Sequence, residues 1–287
     1  MKFQMQVTLT DIVDGLPALD IVVTDKNGSV LVPVVIKSIL TADNPKLRKG
    51  EVTNWLTMGA ALSPHKTVDG LNVCASASAG CIGGCLDHQG MGSFQRSIHI
   101  YRAAKTWLAV NEPEIFYRLL NLDIQAAVKR AAKKLQRLAC RLNVFSDIMH
   151  EKDKRGRELV ERWQDVQFYD YTAHLKRMLR DDRPANYHLT YSRKEKRDAQ
   201  SLTVLNAGKN VAVVFNHATL PKEYLGAKVV DGDISDMRWQ DGSPRVIGLK
   251  MKYASMDDAY GMINSGFAVT LPELPALGTP PAFYVSS

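Results

Sequence analysis

Along the first 37 residues, β-branched and apolar side chains come in short runs broken by polar ones. VTLT (7–10), LDIVVTD (19–25) and SVLVPVV (29–35) predict strands, and Asp25-Lys26-Asn27-Gly28 supplies a turn with glycine where a positive φ is needed. The stretch 41–70 loses that rhythm: Asn44-Pro45, Lys49-Gly50, Pro64 and Gly70 predict a loop-rich segment able to wrap over a site. From residue 94 the period lengthens. FQRSIHIYRAAKTWLAV has apolar positions at helical spacing, and Pro113 opens a second helix through IFYRLLNLDIQAAVKRAAKKLQR. Beyond it, extended and helical patterns alternate. The apolar LACRLNVF (138–145) precedes the helical RGRELVERW, the strand VQFYDY the helical HLKRMLR, and the strand NYHLTYS the helical KEKRDAQSLTVLN, which Gly208 ends. VAVVFN (211–216) reads as a buried strand, and KVVDG, ISDMRW and RVIGLKMKY as later ones. MINSGFAV (262–269) reads as a turn feeding a last strand.

Strand–helix–strand repetition with short connections predicts an α/β fold, a mostly parallel sheet covered by helices. Polar residues recur just past successive strands: Asn143, Ser146 and Asp147; Asp170 and Thr172; Thr190 and Ser192; Asn216 and His217; Asp231 and Asp233. Active sites of (β/α) barrels gather at that end of the strands. The recurrence therefore favours a barrel-like or partial (β/α) barrel with an N-terminal β-rich extension. Any one of these residues is equally a turn or cap former. The expected organisation is a β-rich extension over 1–40, a cysteine loop plus barrel-like domain over 41–270, and a proline-rich tail over 271–287.

Composition narrows the class without naming it. With 45% hydrophobic and 23% charged residues in 287, the chain reads as a globular protein large enough to fold without a metal or disulfide staple. It opens with no secretory pattern and contains no apolar run long enough to span a bilayer, so no membrane partner and a cytoplasmic setting are expected. In such a compartment cysteines are thiols or metal ligands before they are disulfides. A net charge of +7 permits nucleic-acid contact without demonstrating it. The basic runs 129–137, 176–180 and 193–197 read first as solvated helix faces and second as a phosphate-binding surface.

The densest chemistry lies in GLNVCASASAGCIGGCLDHQGMG (70–92), where Cys74, Cys81 and Cys85 sit among glycines and small residues. Three thiolates can hold a [3Fe–4S] cluster, or three irons of a [4Fe–4S] cluster with one iron left for water or substrate. Glycine lets backbone approach so bulky a group. Zinc is the alternative; its structural sites usually close four ligands at tighter spacing, with His88 the obvious fourth here and His65 and Cys140 more distant. Cys140 itself reads as a small buried hydrophobe. Elsewhere, Tyr169, Asp170, Tyr171 and Thr172 fall where a strand gives way to a helix, and Arg193 offers a fork for carboxylate or phosphate. Asp231, Asp233 and Asp236 suit a divalent ion or, more simply, a turn. Neither a phosphate-binding Walker loop, a zincin motif nor a dinucleotide glycine pattern occurs.

ADNPKLRKGE, GLNVCASASAGCIGGCL followed by GMG, RLNVFSD, DVQFYDYT, NYHLTYSRKE, NVAVVF, VVDGDISDMRW and SGFAV occur in that order between about residues 38 and 270. Together they resemble the phage and plasmid gene product 88 family. The resemblance implies a barrel-like iron–sulfur layout, with the three family cysteines on Cys74, Cys81 and Cys85. It places the Asn/Asp and Tyr-Asp-Tyr signatures on Asn143, Asp147, Tyr169, Asp170 and Tyr171, and implies a mobile-element setting in an infected or host bacterial cell. Where the family motif carries Cys-Pro, this chain has Cys74-Ala75, which loosens the loop but removes no ligand. The expected function is an iron–sulfur protein whose open iron acts on a small molecule, with Asp147, Asp170 and Arg193 as catalytic partners. The alternatives are a nucleic-acid-binding or host-interaction protein with a structural metal centre, and simple electron transfer.

Overall fold

The computed structural model describes residues 4–42, 54–66, 68–85, 95–272 and 274. The proline-rich tail past residue 274 and His88 lie outside the described residues. Strands β1 (Gln4–Val13), β2 (Leu16–Asp25) and β3 (Gly28–Val35) form an antiparallel sheet in that order. Asp14 and Gly15, both at positive φ, make the tight turn between β1 and β2. Alternation does the rest: Met5 and Val7 of β1 and Leu19, Ile21 and Val23 of β2 are buried on one face.

The other strands are β4 (Leu40–Thr41), β5 (Trp55–Ala60), β6 (Arg137–Arg141), β7 (Gln167–Thr172), β8 (Tyr187–Ser192), β9 (Val211–Phe215), β10 (Glu223–Tyr224), β11 (Ala227–Asp231), β12 (Val246–Lys250) and β13 (Ala268–Val269). Their order is β10-β11-β12-β9-β8-β7-β6-β5-β4, with β13 beside β9. Pairing is parallel for β5–β6, β6–β7, β8–β9, β9–β12 and β12–β11. The helices are α1 (Ala79–Gly83), α2 (Arg96–Asn111), α3 (Pro113–Lys133), α4 (Lys154–Arg162), α5 (Leu175–Leu179), α6 (Asp198–Asn206) and α7 (Met256–Ser265). This is the expected α/β, barrel-like arrangement behind a β-rich N-terminus. No helix among the described residues is long and apolar enough to cross a membrane.

Two compact units divide the chain. The first comprises Met1–Ala75, Phe94–Phe168 and Pro184–Tyr187; the second comprises Ser76–Ser93, Tyr169–Arg183 and His188–Ser287. In the first, α2 and α3 bury Ile100, Ala103, Ala104, Leu108, Phe116, Leu119, Leu120 and Ile124. Asp123 of α3 accepts from the amides of Ile39 and Leu40 at 2.6 and 2.9 Å, and Lys105 of α2 donates to the Ile39 carbonyl at 3.0 Å, which pins β4. In the second, Val204 and Leu205 of α6 join Val211, Val213, Phe215, Val246 and Ile247 in the core.

Several elements differ from the expectation. WLTMGA forms β5 inside the supposed loop, because a short strand buried on both sides shows no alternation. ISDMRW is not a strand. Asp231 Oδ1 accepts from the Asp233 amide and Ser235 Oγ from the Met237 amide, and these side-chain bonds replace a ladder with turns. Helix α6 begins at Asp198, four residues later than its pattern suggested, because Arg193 and Lys194 are buried rather than solvated. The segment before the last strand is a full helix, α7, capped by Ser255 at its start and by Gly266 at φ 78 at its end.

Candidate functional site

In the second unit, Cys81 lies within α1, a helix of five residues. So short a helix does not persist alone. Ser78 caps it, accepting from the Cys81 amide at 3.4 Å and donating to Glu195 Oε2, while the Gly80 amide donates to Glu195 Oε1 at 2.9 Å. Burial raises the Glu195 pKa, but these hydrogen bonds outweigh it and hold the carboxyl below its usual range. Glycine does the seating. A Cβ on Gly80 would stand 2.4 Å from Phe267 Cβ, and one on Gly84 2.6 Å from the tip of Met262. Gly80 and Gly84 are therefore the face that α1 lays on α7 and the residues after it. Cys81 and Cys85 follow them one position later in the sequence. Cys85 sits just past the helix, its amide donating to the Ile82 carbonyl at 3.3 Å. The glycines thus serve close packing here, where the sequence suggested approach to a cluster.

The tail of β8 holds this turn. β8 pairs with β9 only as far as Ser192 opposite Ala212, and β13 takes over the β9 edge at Val214 and Phe215. The Arg193 amide makes the last bond to β9, donating to the Ala212 carbonyl at 3.0 Å, and the residues from Lys194 onward are released from the sheet. Arg193 donates to Asp198 through Nε at 2.6 Å and Nη2 at 3.2 Å, and through Nη1 to the carbonyls of Gly266 and Phe267 at 2.8 and 3.2 Å. Its fork is committed to the ends of α6 and α7, so the expected catalytic arginine is a clamp. Lys194, 5% exposed, places Nζ 3.2 Å from Cys81 Sγ, 3.0 Å from Ser192 Oγ and 5.4 Å from the Phe267 ring centroid. The buried ammonium thus donates directly to the sulfur. Lys194 and Glu195 escaped the sequence reading because RKEKR looks like a charge run; its position directly after a strand was the available signal.

The first unit holds Cys74, whose thiol donates to the Phe145 carbonyl at 3.1 Å and whose amide donates to Asn72 Oδ1 at 2.9 Å. The Asp147 amide donates to the Val73 carbonyl at 2.8 Å, so the loop after β6 is tied to the cysteine loop. Asn143 organises that loop. Its Oδ1 accepts from Ser146 Oγ and the Ile148 amide, each at 2.8 Å, and its Nδ2 donates to the Ile148 carbonyl at 3.0 Å. A turn-forming role accounts for Asn143 and Ser146. Cys140 is fully buried in β6 as a small hydrophobe, and His65 occupies a turn with φ 52.

Asp170 is fully buried in β7. Alternation separates it from Tyr169 and Tyr171, whose hydroxyls donate to Asp236 Oδ2 and Oδ1 at 3.2 and 3.3 Å. The three expected acids disperse: Asp231 meets Lys250, Asp233 meets Lys252 and the Lys250 amide, and Asp236 meets the tyrosines. The turn reading holds for this segment.

None of the four cysteines is in a disulfide. Among the described residues, no three His, Cys, Asp or Glu side chains come together as a metal-holding group. The Cys81–Cys85 stretch supplies part of what a thiolate-bound centre needs, two sulfur donors four residues apart and a buried ammonium against one sulfur, although Cys81 also packs against Met262 and Phe267. A family model described as gene product 88 matches residues 38–264. No curated protein and no solved structure matches the chain.

Proposed function

Since the chain belongs to the gene product 88 family, we propose that it holds a thiolate-bound iron–sulfur centre on Cys81 and Cys85, with Cys74 as third ligand from the shared sequence run, and uses it on a small molecule. The observation that carries this reading is the Lys194 ammonium 3.2 Å from Cys81 Sγ on a turn that also presents Cys85. When bound, such a centre supplies a Lewis-acidic or one-electron site with one position open to a ligand. The residues of the chain supply the rest. Gly80 and Gly84 set the orientation of the turn against Phe267 and Met262, and Glu195 fixes the Gly80 amide and the Ser78 hydroxyl. Lys194 balances thiolate charge, and Ser192 holds that ammonium in place. Asp147 and Asp170 remain the acids proposed to meet the substrate, while Arg193 supports the scaffold.

The test is anaerobic purification followed by iron, zinc and acid-labile sulfide analysis with absorption and EPR spectra. Three or four irons with matching sulfide per chain are expected, falling sharply in Cys81→Ala and partly in Lys194→Met. Zinc without sulfide would leave a structural centre and the nucleic-acid or host-interaction reading. That reading draws on exposed Lys129, Arg130, Lys133 and Lys134 at the end of α3, and predicts nucleic-acid binding that weakens steeply with salt. No metal at all would end the proposal.

A further inference from the structure

Helix α3 ends in a way that its own stability does not explain. The Gln136 amide donates to the Ala131 carbonyl at 2.9 Å, and the Leu135 amide to the Ala132 carbonyl at 3.0 Å. That pair of bonds closes a helix around one left-handed residue, a place where glycine is the usual occupant. Here the residue is Leu135, at φ 55. A leucine is strained in that conformation, because its Cβ crowds the following carbonyl. Burial could offset the strain, yet Leu135 is 91% exposed. The turn gains nothing from this side chain that glycine would not give it.

Cations surround the leucine. Lys129, Arg130, Lys133, Lys134 and Arg137 are all exposed. On a helix of 3.6 residues per turn, the four from Lys129 to Lys134 fall within an arc of about 140°, one broad face. No acid occurs in the sequence between Asp123 and Asp147, and Asp123 is turned to the Ile39 and Leu40 amides. Among the described residues, none of the five cations forms an ion pair with a carboxylate. Lys129 and Lys133, and likewise Arg130 and Lys134, stand four residues apart, so like charges repel on neighbouring turns. The negative end of the helix dipole offsets part of that repulsion. It does not account for Arg137, which begins β6, or for the leucine.

Charge complementarity calls for an anionic partner. Nucleic-acid phosphates would satisfy the cations, but contact with bases draws on aromatic faces beside them. The Trp55 ring, 4.4 Å from the Arg137 guanidinium, is only 7% exposed and offers no such face. An aliphatic side chain at the apex of a cationic turn suits a bilayer instead. Acidic headgroups take the charges, and the acyl boundary takes the leucine.

We propose that the turn joining α3 to β6 docks on an anionic lipid surface. Leu135 enters the headgroup boundary, and the five cations lie against the acidic headgroups. Each cation at such a surface contributes about fivefold in affinity, and partial burial of a leucine about tenfold. The sequence pointed away from a membrane because it holds no spanning segment, and peripheral docking requires none. The surface uses no cysteine, so it and the iron–sulfur reading fail independently. The same lysines underlie the nucleic-acid reading, and Leu135 separates the two.

The test is co-sedimentation of the full chain with vesicles of equal parts phosphatidylserine and phosphatidylcholine, beside vesicles of phosphatidylcholine alone. Binding to the mixed vesicles is expected to be tighter by about tenfold or more, and to weaken as salt is raised. Lys133→Gln and Lys134→Gln together are expected to weaken it about 25-fold. Leu135→Gly is the decisive variant, because glycine suits φ 55 and keeps the turn intact, which urea unfolding verifies. It is expected to weaken vesicle binding by about five- to tenfold. Single-stranded and duplex oligonucleotides are titrated at the same salt. Tighter binding of either one than of the mixed vesicles, unchanged by Leu135→Gly, assigns the cations to nucleic acid and overturns the proposal. No binding to the mixed vesicles, equal binding to both kinds of vesicle, or no effect of Leu135→Gly on vesicle binding overturns it as well.

Discussion

Gly80→Ala would place a methyl carbon 2.4 Å from Phe267 Cβ and 2.6 Å from Ser265 Oγ. Non-bonded carbons settle at about 3.5–4.0 Å, so more than ~1 Å of movement has to be found. Phe267 Cβ cannot supply it by changing rotamer, because it is fixed to backbone that enters β13 at the next residue. Overpacking of this kind costs about 1–3 kcal/mol, and the tight contact with a backbone-anchored atom puts this site at the upper end. Alanine returns up to ~1 kcal/mol of helix propensity, leaving a net loss of about 2 kcal/mol. Gly84→Ala is the control. Its new methyl would meet Met262 Cε and Sδ at 2.6 Å, the mobile end of an unbranched chain that one rotation removes, so its net effect stays below about 1 kcal/mol. The cost can be met by undocking of α1 alone, so alkylation of Cys81 by iodoacetamide at fixed pH is read beside urea unfolding. A loss of 2 kcal/mol in docking speeds alkylation by about thirtyfold. Equal behaviour of the two variants, or a Gly80→Ala protein unchanged in both assays, refutes the packing account.

Three further outcomes follow from the same structure. With His188 held near 4 in the fold and near 6.5 when unfolded, the unfolded chain alone takes up a proton between those pH values. Stability present above pH 6.5 is therefore lost as pH falls towards 4, by up to about 3 kcal/mol. His188→Gln should flatten that dependence in urea midpoints taken at pH 7 and 4.5; an unaltered slope contradicts the assignment. Arg193→Lys keeps the charge but cannot reach Asp198 and both carbonyls together, so it should cost roughly 2–4 kcal/mol in unfolding. A purely catalytic arginine would leave unfolding unmoved. Asn143→Ala strands the Ile148 amide and carbonyl and should cost about 2 kcal/mol, with Asn143→Asp in between because it keeps the acceptor and loses the donor. A fully stable Asn143→Ala protein would show that the loop after β6 is organised by something else.

The elements legible in the sequence were those whose burial follows one period. Alternation in LDIVVTD gave β2, and Pro113 marked the start of α3. β5 was hidden because both of its faces are covered, and α1 because its helicity comes from contacts with Glu195, Met262 and Phe267 rather than from propensity. The cysteine pair was visible as a spacing. Its charge partner was not, since nothing local distinguishes a lysine buried against sulfur from one in water. Arg193 shows the reverse: a fork suited to substrate, spent on closing the end of α7. Tyr169 and Tyr171 were noticed beside Asp170, yet the two-residue period of β7 sends the tyrosines and the aspartate to opposite faces.

The seating of α1 also has a consequence in time. Cys81 and Cys85 leave the ribosome well before Glu195, Met262 and Phe267 are made. At about 5–20 residues per second, roughly 10–40 s pass between synthesis of Cys81 and of Phe267. Throughout that interval the two thiols exist on a segment with no helix and no fixed spacing. Their arrangement becomes available only once the chain as far as Phe267 has emerged. Any group they hold is received only after Phe267 has been made, and the nascent chain carries them meanwhile as unordered sulfur.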